Sequence, residues 1–111
     1  MLKEERSFEE LLSEAIDEAL GALGDNVKLV VYYYLERNLG IEKRTIPKDM
    51  RSFQKELRRM FSDGAKVIEE LIIKKLYDKI GVKAEEGEEF VNRVERARSI
   101  FEKRQSLRLK G

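Results

Sequence analysis

Apolar residues in this chain recur at spacings of three and four, and glycines or capping residues punctuate one such segment after another. That period belongs to helices with one buried face, whereas half-buried strands alternate at two. In the first segment Phe8, Leu11, Leu12, Ala15, Ile16, Ala19, Leu20 and Leu23 form the stripe, with Glu9, Glu14, Asp17 and Glu18 opposite. Ser7 and Glu10 supply a capping box, in which each side chain satisfies a backbone donor at the helix start. Gly24 stands where a glycine commonly ends a helix.

The second segment pulls two ways. Its centre, VVYYYLERN (Val30 to Asn38), is rich in strand formers. Yet Asp25 as a cap and Gly40 as a terminating glycine bracket about fourteen residues, too many for an ordinary strand. A helix follows, with Val27, Val30, Val31, Tyr34 and Leu35 on its core face and Leu29, Tyr32 and Tyr33 on the other. Neighbouring helical residues point about 100° apart, so three consecutive tyrosines cannot share one face. A helix apolar nearly all round is central or has a second contact surface. Tyrosine, with its large ring and polar tip, suits such a surface.

Ile41 and Ile46 anchor the loop that comes next, and Pro47 keeps Ile46 out of a helix. Asp49 caps a third helix with Met50, Phe53, Leu57, Met60 and Phe61 inward, and FSDGA turns tightly, with Ser62 or Asp63 as the next cap. The fourth helix carries Val67, Ile68, Leu71, Ile72, Ile73, Leu76, Tyr77 and Ile80, and Gly81 with Val82 ends it. Beyond an acidic hinge, Phe90, Val94, Ala97 and Phe101 step by four, three and four along a last helix. The fold expected is all-α: a four-helix core over residues 8–23, 26–39, 50–61 and 64–80, plus a C-terminal helical arm over 88–107. Residues 1–82 form the domain; 83–111 are hinge and arm, not an independent unit.

Composition narrows the function. Histidine and cysteine are both absent, which removes the commonest general base, the commonest metal ligand and every thiol nucleophile. No catalytic arrangement, cofactor or metal site is expected, and the chain reads as a non-enzyme. The charged start MLKEERSFEE lacks a signal-peptide core, and no run of eighteen apolar residues occurs. A cytoplasmic location without a membrane partner is therefore expected. Charged residues make up 41% of the chain, an abundance of Lys, Arg and Glu of the kind thermophilic proteins show. They nearly cancel, but in blocks: residues 1–25 are acidic, 43–59 basic, 85–95 acidic and 96–110 basic.

Two surfaces follow. Leu29, Tyr32 and Tyr33, with Phe90, Val94 and Phe101 on the arm, are candidate contacts for a homodimer or another protein partner. Arg51, Lys55, Arg58 and Arg59 form a helical stripe preceded by Lys43, Arg44 and Lys48. Such a stripe can neutralise phosphates, which makes nucleic acid the alternative partner.

The segments EALGALGDNVKLVVYYYLERNLGIEKRTIP and FQKELRRMFSDGAKVIEELIIKKLYDKI also carry a resemblance. Their L-G-x-x-V opening, L-G-I-x-x-x-x-I-P loop and F-x-x-G-A-x-x-I-E-x-x-I turn and helix resemble the archaeal helical output-domain family named after Nitrosopumilus, fifth type, across residues 18–80. The resemblance implies an all-α domain that relays a signal through protein contacts, with no catalytic residues to carry over. The function expected is a self-associating, signal output-like interaction module.

Overall fold

The computed structural model describes residues 6–110, the side chain of Lys110 excepted; the first five residues of the acidic N-terminal block lie outside it. Among the described residues there are five α-helices and no strand: α1 (Phe8–Ala22), α2 (Asp25–Leu39), α3 (Met50–Phe61), α4 (Ala65–Ile80) and α5 (Phe90–Lys110). A 3-10 segment, Lys43–Lys48, links α2 to α3, and a shorter one, Ser62–Gly64, links α3 to α4. The chain is an all-α bundle.

The ends follow local chemistry. At α1 the Ser7 hydroxyl accepts from the Glu10 amide at 3.1 Å while the Glu10 carboxylate accepts from the Ser7 amide at 2.9 Å. Asp49 accepts from the Ser52 amide at the start of α3. Gly81, at φ 73°, closes α4: its N–H donates to the Asp78 carbonyl and that of Val82 to the Tyr77 carbonyl, a Schellman pair. Two caps differ from the sequence reading. Gly24 occupies the cap of α2 and Asp25 is its first helical residue; no side-chain cap opens α4. The last helix starts at Phe90, because Gly87, at φ 89°, still holds the chain out of helix there.

Helices α1 and α4 form the centre. Leu12, Ala15, Ile16, Ala19 and Leu20 of α1 are buried together with Ile68, Ile72, Ile73, Leu76 and Tyr77 of α4. Around this pair pack α3 through Met50, Phe53 and Leu57, and α2 through the buried Val31 and Leu35 with Val27 and Tyr32 partly buried beside them. Ile46 and Pro47 plug the loop into the same core.

Helix α5 is no free arm. Phe90, Val91, Val94 and Ala97 are buried in the common core, and Phe101 packs against Phe8 with ring centroids 6.0 Å apart and the rings tilted by 49°. The Tyr77 hydroxyl, inside the core, donates to the Arg93 carbonyl at 2.7 Å, and Arg98 pairs with Glu9 while lying over the Phe8 ring. The last turn of α5 alone projects: Leu107 and Leu109 are exposed.

Candidate protein-interaction surface

The outer face of α2 gathers four of the exposed large hydrophobic side chains among the described residues. Gly24 and Gly40, both at positive φ, fix where the helix begins and ends. The inward string is Val27, Val31 and Leu35, spaced by four, with Lys28 and Tyr32 half-buried beside it. Everything on the other side faces outward: Leu29 is 64% exposed, Val30 50%, Tyr33 60% and Tyr34 45%. Arg37 lies 5.9 Å over the Tyr33 ring and extends the face. Scattered exposed leucines are ordinary on a protein surface, whereas a contiguous aliphatic and aromatic patch marks a contact site.

This outcome corrects the sequence reading in both directions. Val30 and Tyr34, assigned to the core stripe, are exposed, because α2 touches the bundle along one narrow line. Tyr32, assigned to the outer contact set, turns inward. Its hydroxyl donates to Asp17 on α1 at 3.0 Å, and Lys43 sits 5.1 Å over its ring. Lys28 and Lys43 complete the clasp, with ammonium groups 3.3 and 2.9 Å from the Asp17 carboxylate. Burial alone would favour the neutral acid at Asp17, but the hydrogen bonds from Lys43, Tyr32 and Lys28 outweigh it and hold the carboxyl below its ordinary range. Burial, reinforced by the Asp17 charge, pushes the Tyr32 phenol well above the usual tyrosine value. The clasp fixes the rotation of α2 on α1, and so fixes which face is presented.

Leu29 and Tyr33 thus stand on the surface as expected, while Phe90, Val94 and Phe101 do not. The seam on α5 is spent within the chain: Phe90 and Val94 are buried and Phe101 is half-buried against Phe8. Its spacing of four, three and four is the spacing of any core-facing helix.

The basic residues are largely paired. Arg58 makes a double contact with the buried carboxylate of Glu69 across the α3–α4 turn, at 3.1 and 3.3 Å. Arg59 lies 3.9 Å from the buried Glu56, Lys43 belongs to the Asp17 clasp and Arg44 pairs with Glu42 at 3.3 Å. Lys48, Arg51 and Lys55 have no ion pair among the described residues. Arg58, though about half exposed, is thus committed to Glu69 and ties α3 to α4.

Among the described residues no group of three acids could hold a metal ion, and no helix is long and apolar enough to cross a membrane. A shallow depression beside α1 is lined by Glu10, Ser13, Glu14, Asp17, Glu18 and Lys43. Its charges are engaged with one another or with neighbours: Lys79 bridges Glu14 and Glu18, and Arg6 also pairs with Glu14.

No family model matches the chain, and neither does any curated protein. Among solved structures, the crystal structure of PH0832 from Pyrococcus horikoshii OT3 is similar, with a TM-score of 0.72 at 21% sequence identity. The match covers 86% of this chain and 98% of that one, so the chain shares an all-helical fold with an archaeal protein of nearly its own length.

Proposed function

We propose that this protein is a non-catalytic helical interaction module that self-associates, in the manner of a signal output domain. One observation carries the reading: Leu29, Val30, Tyr33 and Tyr34 stand exposed together on one face of a helix whose opposite face is locked to the bundle. Keeping such a face in water forgoes the burial that stabilises the rest of the molecule, and covering it by a protein surface recovers that free energy. The resemblance to the Nitrosopumilus output-domain family, which implies signalling through protein contacts, supports the same reading. Multi-angle light scattering across a concentration series tests it. The intact chain should exceed its monomer mass of 13.0 kDa as concentration rises, and a Leu29→Glu, Tyr33→Glu double variant should stay monomeric with unchanged helical circular dichroism. A wild-type chain that is monomeric at every concentration would overturn self-association.

Polyanion binding is the weaker reading, resting on Lys48, Arg51 and Lys55. Three free cations give a log–log salt slope of about −3 at most, the signature of weak, non-specific attraction. Fluorescence anisotropy with generic duplex DNA should show binding at low salt at most, lost when Lys48, Arg51 and Lys55 are reversed to Glu.

A further inference from the structure

Six residues form the middle of the exposed arc of α2: Asn26, Leu29, Val30, Tyr33, Tyr34 and Arg37. Their spacing is the same read from either end: three, one, three, one, three. Turned antiparallel about a point between Val31 and Tyr32, a second α2 sets Val30 opposite Tyr33, Leu29 opposite Tyr34 and Asn26 opposite Arg37. A two-fold interface requires that self-complementarity, since one patch must serve as its own partner. Building on the self-association reading, we infer that the partner of α2 is a second copy of this chain, docked α2 on α2 in antiparallel register.

Charge selects the same orientation. Asp25 opens α2 and Arg37 lies in its last turn. Antiparallel docking brings each Arg37 to the partner's first turn, where Asp25 stands, and aligns the two helix dipoles favourably. Parallel docking instead stacks Arg37 on Arg37 and Glu36 on Glu36, and like charges so placed oppose association. Area agrees with a reversible dimer. From their fractional exposures, the four apolar side chains offer on the order of 400 Å² per copy, taking roughly 200 Å² for a whole tyrosine. Two copies bury at most about 800 Å² from these, and Asn26 and Arg37 add to it, an area short of the ~1,200 Å² of standard specific interfaces and of the size weak, reversible contacts use.

The chain has no cysteine, so single cysteines report register cleanly. Asn26→Cys and Arg37→Cys both lie on the exposed arc of the monomer, and a mixed pair keeps one Arg37 facing the partner's first turn. In the antiparallel dimer residues 26 and 37 face each other, whereas two copies of residue 26 stand about 16 Å apart along the axis, at 1.5 Å per residue. A disulfide spans Cα atoms no more than about 7 Å apart. Under mild oxidation after subunit exchange, the mixture of the two variants should give roughly tenfold more cross-linked dimer than either alone. Cross-linking of each variant with itself would establish a parallel pair and overturn the inference. No cross-link in any combination, from a wild-type chain that light scattering shows to be dimeric, would move the contact to another face and leave self-association standing. A monomer in light scattering would end both.

Discussion

Asp17 is the residue on which the presentation of α2 turns. It accepts from Tyr32, Lys28 and Lys43, which come from α2 and from the 3-10 segment after it. Its carboxyl is held below the ordinary range, as are those of Glu9, through its hydrogen bond from Arg98, and Glu10, through the Ser7 backbone. A lowered folded-state value means that the unfolded chain binds more protons across the acid range. These groups therefore contribute stability in full above the unfolded carboxylate values, near pH 4, and lose it as pH falls through the folded values. Melting temperature followed by circular dichroism should drop steeply there. In Asp17→Asn the drop should be shallower, with about 1–2 kcal/mol already lost at neutral pH. The sign reverses at the alkaline end. Tyr32, raised by burial and by Asp17, and Tyr77, raised by burial, favour the folded state until pH exceeds the free tyrosine value near 10. Phenolate absorbance should show two late-titrating tyrosines, and Tyr32→Phe should remove one. None of this was legible in the sequence, because the acid that captures Tyr32 lies fifteen residues away on another helix. A row of three tyrosines declares that something polar-tipped is present, not where its hydroxyl ends.

At the scale of the element, α2 shows what sequence can and cannot assign. Its existence was readable from the bracket of Asp25 and Gly40, though its cap proved to be Gly24, one residue before Asp25. Its end was readable too, from Gly40, whose positive φ no side chain accepts easily. Its rotation was not. Val27, Val31 and Leu35 make one plausible stripe, Val30 and Tyr34 another, and a helix apolar on both sides leaves the choice to its neighbours. Lys28 and Asp17 decided it, by pairing across the α1–α2 contact and drawing the 27–31–35 line inward. Substitutions on the two faces should therefore part sharply. Leu35→Ala should cost about 2–5 kcal/mol, as a buried leucine does. Tyr33→Glu on the outer face should change monomer stability by no more than about 0.5 kcal/mol while abolishing association. Thermal denaturation at low concentration separates the two, and comparable losses at both positions would show that the outer face is packed after all. On α3 the basic stripe was legible as charge but not as architecture. Arg58→Ala should cost about 1–3 kcal/mol, because it leaves the Glu69 carboxylate buried without its partner.

Across the whole molecule the question is whether residues 83–111 are an appendage. Their separation looked natural in sequence: an acidic hinge with a glycine, then a helix whose seam had no assured place among four others. Fold class was legible because periodicity and caps are local; the docking of α5 was not, because it depends on surfaces assembled by three other helices. Those surfaces include Phe8 on α1, which packs against Phe101, and Tyr77 on α4, whose hydroxyl donates to the Arg93 carbonyl. Arg104 donates to the Ile80 carbonyl at 2.7 Å, at the C-terminal end of α4. Removing α5 exposes these partners together and withdraws Phe90, Val91, Val94 and Ala97 from the core. At about 1.5–3 kcal/mol for each large apolar side chain, three of the four supply about 5–9 kcal/mol. A whole domain of this size is stable by only about 5–15 kcal/mol. A chain truncated after Gly81 should therefore lack a cooperative thermal transition and bind a hydrophobic dye, while the intact chain melts sharply. Should the truncated chain instead melt cooperatively near the intact one's temperature, the bundle would be complete without α5. Its buried seam would then be free to exchange between copies, and a swapped helix would compete with α2 as the means of association.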